Sequence, residues 1–429
     1  MTELGPSPLA AGDRNLSVAE ASAAIAAVLR PITDIERVPL GQALGRVLGR
    51  DVVSVIDVPP HDNSAMDGFA FAGSALGGDA ATTHLRCVGT VHAGVPFGGA
   101  LAAGECVRIM TGAVMPLGAD TVVPLELCVA EGTAVRIEPG VLRSGDNRRR
   151  RGEDLTAGRP AVRAGRILKP ADLGLVASLG IDRVSVFRRL RVALFSTGDE
   201  LRAAGQPLAP GCVYDSNRVS LFAAVQRLGM EAIDLGLVAD DPAALQATLE
   251  LAMARADVVL TSGGVSMGDA DHTRAVLAHM GTVGFWKVAM RPGRPFAFGS
   301  LQRDDGAPPT WLFALPGNPV AALVTFSALA REALQRLAGA TPVPLPVLQA
   351  RCTTAIRKRP GRTEFQRAVV ELAAGDAAPA EWQVRLTGSQ GAGVLRSMSE
   401  ANALLVLGHD QGSVAAGDRV DVWLFEGLT

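Results

Sequence analysis

The hydrophobic rhythm of residues 189–340 restricts the possible folds more than any other feature of the chain. Residues 191–195 form a short apolar run of strand type, and 216–228 carry helical spacing, with Ser216 at the start and Gly229 just past the end. Residues 232–237 read as a strand again. Pro242 after Asp241 then opens a helix, because a fixed φ and a missing N–H suit the first helical position. Strands at 257–260, 285–288 and 310–314 follow, with helices at 272–280, ended by Gly281, and at about 320–337. Strands separated by helices are joined by crossovers rather than tight turns, so neighbours run parallel and helices cover both faces. The pattern predicts a doubly wound parallel-sheet α/β domain over 189–340.

The flanking sequence has a different texture. Between 51 and 152, short Val-, Ile- and Thr-rich runs (87–92, 106–110, 121–124, 135–137) are punctuated by glycine, which marks a β-rich unit. Helical sequence lies on both sides of it. Ser17 and Glu20 form a capping-box pair ahead of an Ala-rich helix to Leu29, and 168–180 read as helix again. A split linking domain (1–50 and 153–188) with an inserted β-rich domain (51–152) is therefore expected, preceded by a loose tail at 1–16. Beyond the Pro-rich link 341–346, residues 345–429 are β-type sequence long enough for a C-terminal small β-barrel. The fold class is α/β multi-domain.

In an open α/β sheet, ligands bind beyond the carboxyl ends of the strands. Here those ends carry three glycine-bearing loops: Ser196-Thr197-Gly198-Asp199-Glu200, Ser262-Gly263-Gly264-Val265-Ser266 and Leu315-Pro316-Gly317-Asn318-Pro319. Each opens toward a helix start, where free backbone N–H groups attract anions. A single such loop is usually a connector, but three on one sheet edge indicate a phosphate-type site. Glu200 and Asp271 lie on two of these segments, and Asp240 and Asp241 follow the intervening strand. Carboxylates beside a polyphosphate suit a bridging Mg2+, although Asp241 and Asp271 also suit helix capping. Lys287, Arg291 and Arg294 are read as projecting from a loop stiffened by Pro292 and Pro295, an arrangement suited to an oxyanion. In the β-rich block, the stretch from Pro59 to Gly68 holds Asp62, Asn63, Ser64 and Asp67 on a constrained loop. That loop suits cation or acid–base chemistry, or a capped turn. The run Arg148 to Arg151 reads as a solvated patch or as a polyanion contact.

Composition removes other classes. With 41 basic and 43 acidic residues the net charge is -2, so there is no electrostatic case for nucleic acid or an acidic membrane surface. Five cysteines with no Cys-x-x-Cys argue against a disulfide framework or a zinc–thiolate site, and fit a reducing compartment. Glu3 and the lack of a basic n-region argue against a signal peptide, and charges interrupt every apolar run, so a soluble, cytoplasmic protein is expected. No P-loop, dinucleotide fingerprint or Gly-x-Ser-x-Gly elbow is present. Residue chemistry alone stops at a Mg2+-dependent site for a phosphorylated ligand, with an oxyanion pocket beside it.

These segments resemble the molybdopterin molybdenumtransferase family, the bacterial MoeA proteins related to the gephyrin E domain. The resemblance runs through Asp62-Asn-Ser-Ala-Met-Asp-Gly, Arg108-Ile-Met-Thr-Gly-Ala, Arg148-Arg-Arg-Arg-Gly-Glu-Asp and Phe195-Ser-Thr-Gly-Asp-Glu-Leu. It continues through Ser262-Gly-Gly-Val-Ser, Pro295-Phe-Ala-Phe-Gly, Leu315-Pro-Gly-Asn-Pro and Phe365-Gln-Arg. It implies molybdenum insertion into adenylylated molybdopterin with release of AMP, the last step of molybdenum cofactor biosynthesis. Carried over by position, Asp67, Thr111, Asp154, Glu200, Asp240 and Asp271 are the functional residues, with Glu200 and Asp271 as Mg2+ ligands. The substrate contacts implied are Asp62, Ser64, the three glycine loops, Lys287, Arg291, Arg294 and Arg367. The partners implied are molybdate, a second subunit in a homodimer with a shared site, and transiently other molybdenum cofactor enzymes. Some positions depart from the commoner pattern: Phe69 for Tyr, His61 for Phe, Arg291 and Arg294 for Lys, and Ala392 for Ser. The alternatives are a molybdopterin adenylyltransferase and a non-enzymatic, gephyrin-like scaffold.

Overall fold

The computed structural model describes residues 15–77, 81–263, 270–303, 306–375 and 378–425, without side chains at 270–272, 274, 285, 374–375 and 378–379. Most of the expected N-terminal tail, Gly264, Ser266 and the side chain of Asp271 therefore lie outside the described residues.

The alternating region forms a seven-stranded sheet. Arg191–Thr197 is flanked by Glu231–Val238 and Val258–Ser262, and Thr310–Leu315 lies beyond, all parallel. Alternate residues of each strand face opposite layers. Val192, Leu194, Val258 and Leu260 join one core with Leu221 and Val225 of the helix Ser216–Arg227. Ala193, Phe195 and Val259 join another with Leu245 and Leu249 of the helix Pro242–Arg255. Both faces are thus covered, as the doubly wound reading requires.

The sheet is not parallel throughout. Pro295–Leu301, which sequence reading left unassigned, is a buried strand antiparallel to both Thr310–Leu315 and Gly281–Val288. It is legible afterwards as an apolar run, and Phe296 and Phe298 pack against Trp286 and Phe313 with centroids 5.0 to 6.4 Å apart. The last strand, Gly281–Val288, pairs in parallel with Asn15–Leu16. The capping box at Ser17 and Glu20 starts the helix Val18–Val28, whose Ala21 and Ile25 enter the sheet's core. Residues 15–29, at the start of the segment read as the linking domain, thus pack on the α/β sheet.

The rest of the linking segments do meet across the chain. Ile35–Pro39 pairs with Arg183–Phe187, and Val52–Val53 with Pro160–Val162. Between them is a six-stranded sheet, Thr121–Pro124, Gly68–Phe71, Glu105–Ile109, Thr83–Val91, Ala134–Ile137 and Cys128–Glu131 in spatial order. Phe69 and Phe71 face one core and Ala70 the other, so this strand is buried on both sides and shows no alternation in sequence.

At the C-terminus, Val347–Cys352, Thr363–Gly375, Ala378–Leu386, Ala403–Leu407 and Arg419–Leu424 close into a five-stranded barrel. Met290–Arg291 of the α/β domain pairs with Thr363–Glu364 at its rim. Among the described residues, no helix is long and apolar enough to cross a membrane.

Candidate active site

The three glycine loops emerge from adjacent strands, in the order Thr310–Leu315, Val258–Ser262, Arg191–Thr197. They touch. Gly263 N–H donates to Leu315 O at 3.1 Å, and the Ser262 hydroxyl donates to Pro316 O at 3.3 Å. Gly263 has φ +93°, and a Cβ there would lie 2.5 Å from Thr197 O, so only glycine lets these two loops approach. Gly198 has φ +149°, a backbone conformation that favours glycine, and lies against the Glu200 carboxylate of the same loop. Glu200 is exposed on this rim, and Asp199 Oδ1 accepts the N–H of Asp240 at 3.2 Å, which joins the first loop to the residues before Pro242.

Asp241 caps the next helix, as Asp-Pro at a helix start suggested, by accepting from Ala244 N at 2.8 Å. Two other residues differ from their expected places. The helix expected at His272 begins at Ala270, so Asp271 lies in its first turn rather than ahead of it. Ser216 does not cap its helix: Asp215 does, accepting from Arg218 N at 3.1 Å. Asp215 also accepts from the buried Ser196 hydroxyl at 3.0 Å, and Asn217 Nδ2 donates to Ser262 Oγ and to Gly317 O, both at 2.7 Å. Sequence reading missed Asp215 and Asn217. The signal was the four-residue run Asp-Ser-Asn-Arg, from which only the serine was taken.

The cations divide as well. Lys287 lies inside the strand Gly281–Val288 rather than on a loop, because the strand runs on to Val288 N–H, which donates to Arg294 O at 2.8 Å. Arg291 and Arg294 are exposed on either side of buried Pro292 and Gly293. Arg367 is only 1 % exposed. Its Nε donates to Ser397 Oγ at 3.0 Å, and Nη2 donates to Ser389 O and Gly391 O at 3.3 and 3.0 Å. None of these partners is a carboxylate. Burial, with Arg291 nearby, pushes the Arg367 pKa down to about 10. The loop it holds also touches the third glycine loop, since Val320 N–H donates to Ala392 O at 3.0 Å. A buried guanidinium bound only to neutral groups, next to a second arginine, is an environment that an anion would complete.

In the inserted domain, Asp67 Oδ1 accepts from Thr111 N at 2.6 Å and from the Thr111 hydroxyl at 2.7 Å. The Thr111 N–H, then its hydroxyl, hold the Asp67 carboxyl below its ordinary range. Both residues are exposed. Asp62 accepts from Arg151 N at 2.8 Å and lies 3.5 Å from Arg148 Nη1, while Arg151 Nε reaches Asp57 at 2.6 Å. The arginine run is therefore partly structural: Arg148–Arg149 pairs with Asn63–Ser64. Ser64 is fully buried, and its hydroxyl is spent within the turn on Met66 O at 2.5 Å. Asp154 is exposed and its N–H donates to Val58 O at 3.0 Å. The hydrogen bonds and ion pairs of Asp62, Asp67 and Thr111 all stay within the inserted domain.

Among the described residues no three His, Cys, Asp or Glu side chains converge to hold a metal. Mg2+ still fits the donor set, because it is commonly held by one or two carboxylates plus substrate phosphates, and Glu200 presents such a carboxylate beside the glycine loops. A cavity of about 490 Å³ lined by Arg46, Arg188, Arg191, Asp34 and Glu231 lies elsewhere, by the first residues of the strands Arg191–Thr197 and Glu231–Val238. It is remote from the loops, which sit at the opposite strand ends.

A doubly wound sheet with three phosphate-type loops, joined to an inserted β domain and a barrel, defines a class of ligand-binding α/β proteins. Sequence comparison narrows it. Residues 16–180 match the MoeA N-terminal region (domain I and II), 193–336 a probable molybdopterin binding domain, and 349–425 the MoeA C-terminal region (domain IV). The chain is 38% identical over 397 residues to a molybdopterin molybdenumtransferase of Haemophilus influenzae, covering 92% of this chain and 95% of that one. It is 37% identical over 404 residues to molybdopterin molybdenumtransferase 2 of Mycobacterium tuberculosis, with the same coverage of 92% and 95%. The crystal structure of a molybdopterin biosynthesis MoeA protein from Pyrococcus horikoshii matches with a TM-score of 0.79 at 27% identity, over 96% of this chain and 100% of that one. The chain belongs to the molybdopterin molybdenumtransferase family.

Proposed function

We infer that this chain is a transferase that inserts molybdenum into molybdopterin during molybdenum cofactor biosynthesis. The observation that carries this reading is membership of the family along nearly the whole chain, inserted domain and barrel included. An adenylyltransferase would need only the α/β domain.

The finer reading is that the substrate is adenylylated molybdopterin and that AMP leaves as molybdenum enters. Three glycine loops on one sheet edge, each opening toward a helix start, suit the pyrophosphate link of such a substrate. Arg367, Arg291 and Arg294 suit molybdate, with Lys287 at the neighbouring strand end. Mg2+, held by Glu200 and Asp271, would neutralise and polarise the phosphates when bound. Asp67, whose carboxyl Thr111 holds below its ordinary range, would supply a fixed negative acceptor from the inserted domain. In a homodimer the inserted domain of one subunit could cover the glycine loops of the other and so complete the site. Exposed apolar side chains at Leu208, Val213, Tyr214 and Val219 of the α/β domain offer a surface for such a partner.

The test is to incubate the purified protein with adenylylated molybdopterin, molybdate and Mg2+ and to measure AMP. Release that depends on all three, and is lost in Glu200→Ala, is the expected result. Adenylylation of molybdopterin from ATP would turn the assignment to the adenylyltransferase. Absence of both reactions in folded protein would leave the scaffold reading.

A further inference from the structure

The first turn of the helix Ser216–Arg227 touches all three glycine loops at once. Asp215 takes the Ser196 hydroxyl of the first loop at 3.0 Å. Asn217 gives one amide hydrogen to Ser262 of the second loop and the other to the Gly317 carbonyl of the third. The direction of these bonds is fixed by chemistry. Gly317 O can only accept, and the Ser262 hydroxyl has already given its proton to Pro316 O, so it must accept as well. The Asn217 amide therefore has one workable orientation, with both donors used. Asn217 and Ser262 are 7 and 3 % exposed, so water does not compete freely for these bonds.

Asp215 is itself locked. Its second oxygen accepts from Arg218 Nε at 2.9 Å, and Arg218 reaches on to Asp234 on the neighbouring strand. The turn is thereby tied to the sheet on one side and to the loops on the other. We propose that Asn217 is the positioning residue that sets the spacing between the second and third glycine loops, with Asp215 holding the first in step. The kinetic consequence rests on the reading of these loops as a phosphate cradle, whereas the mechanical claim does not.

The tests separate the two. Asn217→Ala removes both donors, and Asn217→Asp keeps the shape while facing Ser262 Oγ and Gly317 O with an acceptor. Hydrogen–deuterium exchange is followed on peptides covering 261–263 and 315–318, with the Gly263 N–H to Leu315 O bond as the direct reporter. Both peptides should exchange about tenfold faster in either variant, as expected for the loss of one to two buried hydrogen bonds. The helix peptide 219–227 and the thermal midpoint should stay close to wild type. Affinity for AMP, measured by calorimetry, should fall by about tenfold or more in Asn217→Asp. The further loss on adding Ser262→Ala to Asn217→Ala should be smaller than Ser262→Ala causes alone, because the pair acts as a unit. Unchanged exchange in the two loops would overturn the proposal. So would faster exchange along the whole helix with a lowered midpoint, which would make Asn217 an ordinary structural residue. Failure of the wild-type chain to bind AMP would instead sink the phosphate reading, and exchange alone would then decide the positioning claim.

Discussion

Arg367→Met is the perturbation that most sharply separates a structural arginine from one built to meet an anion. The guanidinium is buried and its pKa drops to about 10, chiefly through burial and secondarily through Arg291. At neutral pH it is protonated in both folded and unfolded chains, so the folded state carries the whole penalty. That penalty is about 3.5 kcal/mol at roughly 1.4 kcal/mol per unit. Against it stand the three hydrogen bonds to Ser397, Ser389 and Gly391, which contribute about 4–5 kcal/mol at the low end for charged donors. Methionine keeps much of the volume, removes the penalty and loses the bonds. The expected net destabilisation is therefore only about 1 kcal/mol. The informative measurement is thermal unfolding with and without molybdate. Wild type should gain about 2.7 kcal/mol at a hundredfold excess over Kd, and the variant should gain nothing resolvable. A variant with an undiminished molybdate response would refute the anion role. A loss well above about 4 kcal/mol would refute the claim that burial of the charge opposes folding.

Three further outcomes are expected. Thr111→Val removes the hydroxyl from Asp67 but leaves the backbone N–H, so the Asp67 pKa should rise part of the way toward 3.8, measured by carboxyl-carbon NMR. The sign follows from a folded pKa that is lowered: the stabilising contribution is present above the unfolded value and is lost as pH falls through the folded one, so in the variant the loss should be smaller and complete at a higher pH. Thr325→Val should be neutral or stabilising by up to about 1 kcal/mol in urea titration, because the hydroxyl is fully buried with no hydrogen-bond partner among the described residues; a clear loss would reveal a partner. Asp67→Asn and Asp271→Asn homodimers should each be inactive, while a mixed dimer should recover about half of wild-type activity through its one intact site. Verified heterodimers without recovery would place both residues in one site of a single chain.

The sequence by itself determined whatever rests on local chemistry. The capping box at Ser17 and Glu20, Asp241 ahead of Pro242, and the strand–helix alternation of 189–340 are all read within a few residues of themselves, and the structure reproduces each. The loops ending in Gly198, Gly263 and Gly317 were legible for the same reason: strand ends followed by glycine and a helix start are a local pattern. Tertiary structure decided what depends on distant partners. Pro295–Leu301 is antiparallel because strand direction is set by the neighbours, Gly281–Val288 and Thr310–Leu315, and its own residues carry no sign of it. Gly68–Phe71 escaped notice because a strand buried on both faces loses its alternation. Residues 15–29 pack on the α/β sheet because apolar faces go to whichever core lies open, not to the nearest in sequence. Asn217 became visible only when Ser262 and Gly317, remote from it along the chain, arrived at hydrogen-bonding distance. The environment of Arg367 is the same case: the family resemblance marked the position, but by its own sequence an arginine in a strand looks like any surface cation until the fold buries it among carbonyl and hydroxyl oxygens and withholds a carboxylate.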